Sequence, residues 1–423
     1  MREKGKRKAA AVAALLMLSA PAAYADGFSV YEWSARGVGM GGAMMFSDEA
    51  SLIGYNPAAI TQFDEKSNVS GAITYIGPRG YADFIDGNEN VVMSQHNRNN
   101  PACVPALFYA RQIQPNAWFG VGLYPRFGLK SSYDPGWYGR YSNRSTEFCG
   151  VSVAPTAAWK INPSLSMSLG FELMYANLYM DKSVDMRNMS PALRDVYMDL
   201  DGSSWGMGWN AGLNWNVNDR LSLAFLYRSE VKQTIEGDVN FFAGDMHVAT
   251  RGSGVIHLPE SWTFGVGYRF DDRTRVEFDA IRTNWSSYDK LSIDFAVPLR
   301  FRPIFSGKDT YTRAEAKNWR DGWRYQFGVE HRLDDRWTLR AGFVYDQCSS
   351  NNADTADFMV PTGTRRTYTL GASCRVKNVE YTLGYGYMLI SDKRINKAGE
   401  KQEDSWSRSC YANIVSLGAR IDL

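Results

Sequence analysis

Four histidines, His96, His247, His257 and His331, are all the imidazole this chain offers for base chemistry, and none stands in a motif with a nucleophile. The cysteines Cys103, Cys149, Cys348, Cys374 and Cys410 lack the spacing of a metal site, and an odd number cannot all pair internally. Gly37, Gly39 and Gly41 have the look of a dinucleotide loop, but no strand precedes them and no βαβ unit surrounds them. No catalytic residue, metal ligand or cofactor is assigned, and no enzyme is expected. Two other groups of residues are suited to holding and gating. Ser190 and Pro191 start a helix on which Met189, Leu193, Val196 and Tyr197 share a face, and the next long loop offers Phe241, Phe242 and Met246. Such a set fits a groove for varied apolar molecules, because methionine is flexible and polarisable. The same residues would equally make a self-packed loop cap. Further upstream, Asn56 is placed to cap a short helix by accepting a backbone N–H, with Pro57 in its first turn and Ala58 beside it.

The elements that must position these groups follow from the rest of the chain. Residues 1–25 read as a signal peptide: Arg2, Lys4, Lys6, Arg7 and Lys8, then an apolar run from Ala9 to Leu18, then Ala23-Tyr24-Ala25 before the cut. The apolar run is shorter than the roughly 20 residues of a membrane-spanning helix. The whole chain carries 47 Lys+Arg and 45 Asp+Glu. Removal of the signal leaves a slight acidic excess, so the composition gives no reason to expect nucleic acid as a partner. Residues 26–66 form a compact segment rich in small residues. Gly37, Gly39, Gly41 and Gly42 let it fold back on itself, a helix starting at Ser47 or Asp48 reaches about Tyr55, and few bulky apolar groups are present to make a core. Such a segment needs walls.

Residues 67–423 supply them. Apolar residues alternate with polar ones over long runs, as in Leu165, Met167, Leu169, Phe171, Leu173 and Tyr175, or Trp262, Phe264, Val266, Tyr268 and Phe270. The runs reach the length of a tilted membrane strand, and aromatics gather at their ends. The other face carries charges of both signs (Glu172, Arg269, Glu277, Asp279, Arg324, Glu330, Arg340), which suits a wet, ion-paired interior. Short turns near 115, 163, 217, 271, 334 and 377 alternate with long connections at 78–102, 126–146, 183–200, 239–251, 285–321, 349–364 and 394–404. The expected fold is therefore all-β: a 14-stranded antiparallel transmembrane barrel, too wide to be filled by its own side chains and plugged by the N-terminal segment.

Several stretches carry a resemblance. They are Gly37–Ala43 with Tyr55-Asn56-Pro57-Ala58, Phe119-Gly120-Val121-Gly122 through Phe127-Gly128-Leu129, Trp137-Tyr138-Gly139-Arg140-Tyr141, Leu258-Pro259-Glu260-Ser261-Trp262, Thr283-Asn284-Trp285-Ser286 and Leu339-Arg340-Ala341-Gly342. In their order and spacing the chain resembles the FadL family of outer-membrane transporters for long-chain fatty acids and other hydrophobic compounds. It departs from the common pattern in its last residue, Leu423, and in its cysteines. The resemblance implies a hatch at 26–66, a capture groove among the outer loops, an interior pocket, and a kinked third strand giving lateral exit. The kink falls on about 116–125, with Gly120, Gly122 and Pro125 weakening the ladder; Ala58 and Ala59 are expected against the same strand. The implied function is passive uptake of hydrophobic small molecules by a monomer seated in outer-membrane lipid. Whether the cargo is a fatty acid, an alkane, an aromatic or a lipophilic signal stays open, as does pairing of Arg324 or Arg340 with a cargo carboxylate rather than with Glu330. A general diffusion porin and a surface adhesin are the alternatives.

Overall fold

The computed structural model describes residues 27–98, 100–185, 195–298, 302, 307–350, 352–360 and 363–423. The expected signal peptide lies outside the described residues. Period-2 alternation becomes a closed antiparallel barrel of 14 strands. In order they are β1 Ser67–Ile85, β2 Ala102–Gln114, β3 Ala117–Ser132, β4 Ser145–Lys160, β5 Leu165–Val184 and β6 Val196–Asn216. The next four are each interrupted: β7 Leu221–Arg228 with Val231–Ala243, β8 Met246–Leu258 with Ser261–Arg269, β9 Thr274–Thr283 with Lys290–Ala296, and β10 Thr310–Ala316 with Gly322–Arg332. The last are β11 Trp337–Asp346, β12 Arg365–Val376, β13 Val379–Ile390 and β14 Asp404–Asp422. β14 closes on β1 from Asn68↔Asp422 to Ile85↔Asp404, so the main closure leaves no edge. The short turns fall where expected, which puts both chain ends of the barrel at the periplasmic rim.

The long connections are more ordered than the sequence suggests. Residues 239–251 are a continuing hairpin in which Ala243 pairs with Met246 and only Gly244-Asp245 turn, Gly244 at φ 58°. Residues 285–321 contain the outer parts of β9 and β10, and Val91–His96 pairs back on the outer end of β1. Backbone pairing does not stop at the membrane; only the apolar-outward pattern does.

The interruptions of β7 to β10 share one level. Arg228 pairs with Ser261, Ser261 with Thr283 and Thr283 with Gly322, and above this rung all four strands break. Pro259 cannot donate to the ladder, and Trp285–Ser287 forms a 3₁₀ turn. Below the rung the lumen is filled by residues 27–66; above it the wall turns apolar residues inward. The filling segment has more bulk than expected, since Trp33, Met40, Met44, Met45, Leu52, Ile53, Tyr55 and Ile60 are all buried.

Candidate functional site

Beyond residues 28–30, the plug is held by wall side chains in place of a ladder. Asp279 accepts from Met44 N at 3.1 Å, Glu277 accepts from Met45 N and, at 3.3 Å, from Phe46 N, and Arg275 donates to the Phe46 carbonyl. Arg228 donates to the Gly54 carbonyl at 2.7 Å, and Trp33 Nε1 to the Pro125 carbonyl at 2.6 Å. Arg36 pairs with Asp48 and, at 2.8 Å, with Glu330; Glu330 also takes Arg275 at 3.0 Å and Arg340 at 2.6 Å. Burial alone would lower the Arg36 guanidinium, but Asp48 and then Glu330 hold it well above its ordinary value. Arg324 is occupied by Asp346 at 3.1 Å, so both arginines considered for a cargo head group are paired to wall acids. Close approach needs glycine. A Cβ on Gly39 would lie 2.9 Å from the Cα of Gly371 on β12, and Gly41, at φ 65°, turns directly against Gly342 and Phe343 of β11.

Asn56 does not cap. Its side chain accepts no backbone N–H; Nδ2 donates to the Met45 carbonyl at 2.9 Å and to Asn214 Oδ1 of β6 at 3.3 Å. The helix before it is only Leu52–Tyr55 and begins at Ser51, and the turn after it, Pro57–Gln62, is 3₁₀. That turn, with Ala58 and Ala59, lies mainly against β4 and β5, where Thr61 Oγ1 donates to Ser166 at 2.7 Å, rather than against the third strand.

The third strand leaves its neighbour. β2 and β3 pair from Gln114↔Ala117 up to Leu107↔Leu123 and no further, although β2 stays paired to β1 up to Ala102↔Ile76. β3 keeps its β4 partner, with a register shift between Pro125 and Phe127. Gly120 and Gly122 lie in the paired part, where a Cβ would strike Ile53 and Phe108; Pro125 alone of the three sits at the irregularity. Along the strand that has left β2 runs the start of the plug: Ser29 bridges Phe127, Val30 N donates to Arg126 O at 2.9 Å and Gly128 N to Phe28 O at 2.8 Å. Arg126 points inward in step with Tyr124, and the bulge then brings Phe127 inward as well. Its guanidinium meets Glu172 at 3.0 Å and donates to the carbonyls of Ser229 and Pro259, at 3.2 Å each, in the breaks of β7 and β8. One arginine thus ties three irregularities together at a waist. Glu260 completes it, accepting from Tyr227 at 2.7 Å and from Asn284 at 2.6 Å.

Above the waist the lumen is apolar. Met174, Leu178, Met180, Met198, Leu200, Ile235, Val239, Ile256, Leu291, Ile293 and Phe295 form one buried cluster. A cavity is lined by Leu178, Leu200, Ile235, Ile256, Leu291 and Ile293. The same buried cluster has an aromatic end: Phe28, the start of the plug, has Trp285, Phe148, Tyr288, Trp319 and Phe127 around it at ring distances of 4.7 to 6.1 Å.

Among the described residues the expected groove does not come together. Met189 and Leu193 lie outside the described residues. Val196 and Tyr197 open β6 and therefore point to opposite faces, Val196 inward and buried. Phe241 packs on the interior cluster with Phe295 at 6.1 Å, whereas Phe242 lies across from Tyr197 and stacks on His247 at 4.5 Å on the outside. Met246 is exposed at the hairpin tip. The loops do pack, around Trp137: it stacks on Tyr133 at 3.8 Å and meets Phe358 at 4.9 Å. The apolar lumen, Arg126 and Phe28 went unread in the sequence, although a signal existed. Along β5 the inward residues change from Ser166, Ser168 and Glu172 to Met174, Leu178 and Met180, while the outward ones change from Leu169 and Phe171 to Asn177 and Asp181.

A closed barrel with a charged, plugged lower half and an apolar upper half defines a plugged outer-membrane channel rather than an open pore. Over residues 16–422 the chain matches the family described as outer membrane protein transport protein (OMPP1/FadL/TodX). It belongs to that family and is an outer-membrane transport protein. It is 25% identical to outer membrane protein P1 of Haemophilus influenzae over 96% of this chain and 97% of that one. It is 24% identical to the long-chain fatty acid transport protein of Salmonella typhi over 92% and 93%. Among solved structures it is similar to a Pseudomonas aeruginosa FadL homologue (TM-score 0.80, 21% identity, 94% and 99% covered) and to the Ralstonia pickettii toluene transporter TbuX (TM-score 0.69, 18% identity, 92% and 99% covered).

Proposed function

We propose that the chain takes up hydrophobic small molecules passively, through the apolar upper lumen to the waist and out sideways between β2 and β3. The observation that carries this reading is the position of Phe28–Val30. Phe28 belongs to the apolar cluster above the waist, and from it Ser29 and Val30 run along the β3 edge that β2 has left. Withdrawal of this one segment would join the lumen to the membrane-facing seam. Relatives named for fatty acids and for toluene support a hydrophobic cargo, without covalent chemistry. A monomer in outer-membrane lipid is sufficient, since the path lies within one barrel.

The cargo class with the best fit is an amphiphile with an anionic head. Lys182 and Lys317 stand at the top of the apolar cluster, both almost fully buried, with Glu315 at 2.7 Å from Lys182 and 3.5 Å from Lys317. Passage down the lumen needs only exchange of one apolar contact for another, each worth about 25 cal/mol per Å² buried.

The seam is tested with a tether. Ser29 and Phe127 face each other as a pair flanked by, and not making, ladder bonds, so their Cα atoms are about 4.5 Å apart, within disulfide reach. In a background without native cysteines, oxidised Ser29→Cys/Phe127→Cys should stop uptake of dodecanoate and toluene by intact cells. Reductant should restore it, and each single variant should be unaffected by oxidant. Full uptake by the oxidised double variant would refute sideways exit past this segment.

A further inference from the structure

The apolar lumen is closed from above by the chain itself. Residues 352–360 cross the extracellular mouth. Phe358 is clamped there: its ring lies among Trp137, Tyr133 and Phe84, and its carbonyl accepts from Ser131 at 2.7 Å and Asn143 at 3.1 Å. The residue before it, Asp357, gives its carboxylate to Lys317. The two after it, Met359 and Val360, belong to the interior apolar cluster and, with Tyr288 and Trp319, line a small cavity beside that ion pair.

An acid on a buried ammonium, followed by an apolar tail pointing into the lumen, has the outline of a short amphiphile. We propose that Asp357–Val360 is an internal stand-in for an anionic amphiphile, keeping the mouth shut until a cargo carboxylate replaces Asp357 on Lys317. The inference rests on the apolar passage proposed above. Its physics is that of exchange. Lys317 is 4% exposed, and a buried ammonium stripped of a partner is strongly disfavoured. Glu315 does not make up the loss, because it is shared with Lys182 and with Arg313 at 3.4 Å. Of the cost of lifting the strap, the lost ion pair is therefore the part that another anion offsets. A carboxylate recovers the ion pair and a neutral molecule of equal length does not, so the strap makes the mouth selective for acids.

The scheme separates two variants. Binding of dodecanoate and of dodecanol is measured on the full chain in lipid nanodiscs, above partition into empty nanodiscs. In Asp357→Asn the strap lifts without breaking an ion pair, so both probes should tighten, by about tenfold if the strap covers the site about nine-tenths of the time. In Lys317→Met the strap is equally free but no cation remains: dodecanol should tighten by the same factor, while dodecanoate stays near its wild-type affinity and loses its advantage. A simple cation site without a strap predicts that Asp357→Asn improves dodecanoate alone. Unchanged dodecanol binding in both variants therefore overturns the proposal while leaving the passage intact. Wild-type protein that binds neither probe overturns the passage and the strap together.

Discussion

Glu277 lies on the lumen side of β9, 1% exposed, and accepts two plug amides, those of Met45 and Phe46. Glu277→Ala removes both acceptors at once. Leaving a buried N–H unsatisfied costs about 1–3 kcal/mol, so the tip of the plug should lose about 2–6 kcal/mol, with the lower half of that range favoured because Phe46 is only half-buried. One effect opposes this. Asp279, the next inward residue, is buried as well and gains from losing a neighbouring acid, whereas its own bond to Met44 remains. A net loss of about 2–3 kcal/mol multiplies spontaneous release of the tip by about 30 to 150. Hydrogen exchange read by mass spectrometry should then show faster exchange at 44–46 with barrel strands unchanged, and planar-bilayer recordings should show brief openings absent from wild type. Glu277→Gln keeps a carbonyl acceptor in place and should behave much closer to wild type. If the amides at 44–46 remain as protected in Glu277→Ala as in the parent, the wall carboxylates are not what holds the plug, and the reasoning fails.

Arg126→Met should break the waist. Removing one partner of a buried pair costs about 3–5 kcal/mol, and Glu172 would keep only Ser152 at 2.5 Å and a distant Arg228 at 4.0 Å; the variant should unfold on gels at lower temperature, and an unshifted transition would count against Arg126 as the tie. Asn56→Ala removes two donated bonds without disturbing any helix cap, so an about 1–2 kcal/mol loosening of the plug is expected, visible as faster exchange around Met45 but not in Leu52–Tyr55; the opposite pattern would restore the cap. Burial would raise the Asp48 carboxyl, but Arg36, then Arg420 and Arg275, hold it well below the ordinary 3.8. A depressed carboxylate lends stability that is present above the ordinary value and lost as pH falls through the folded one. Leak current should therefore stay flat down to about pH 4 and rise only in stronger acid, and a rise at mild acidity would assign the latch to another group.

The strands were legible because two neighbouring solvents, lipid outside and water inside, impose opposite demands on alternate residues. Leu165 to Tyr175 could hardly be anything else. The outer storey of the barrel is hidden by the same pattern, because there the demands exchange sides. At Met174 and Leu178 the apolar residue is the inward one, so residues that look like the outward face of a strand are the lining of the lumen. Helical or loop proximity groups Val196, Tyr197, Phe241 and Phe242, whereas their strand geometry divides them between two faces. Motifs fared differently. Leu258–Trp262, Thr283–Ser286 and Phe127–Leu129 carry the family resemblance, and the structure brings all three to the broken rung, but nothing in one chain says that such distant breaks share a level. Arg126 is the instance of this: it follows Tyr124 on the inward register, but the bulge that brings Phe127 inward beside it shows only in the pairing with β4.

The plug also stands astride the closure of the barrel. Thr74 of β1 donates to the Glu32 carbonyl at 2.9 Å and meets Ser416 of β14 at 2.6 Å, and Asn68 of β1 accepts from Ala50 N at 2.7 Å. Ala35 lies against Gly384 of β13 and Gly418 of β14. Those first and last strands are the most distant in sequence, so their union is the slowest to find by diffusion of the chain. A segment that precedes β1 and touches β13 and β14 turns this remote encounter into a local one. Assembly would then run with the plug already inside as a jig on which the last strands register, and it could not be threaded in afterwards. A chain shorn of it would be expected to lag at the final pairing, leaving the edges of β1 and β14 open to other polypeptides.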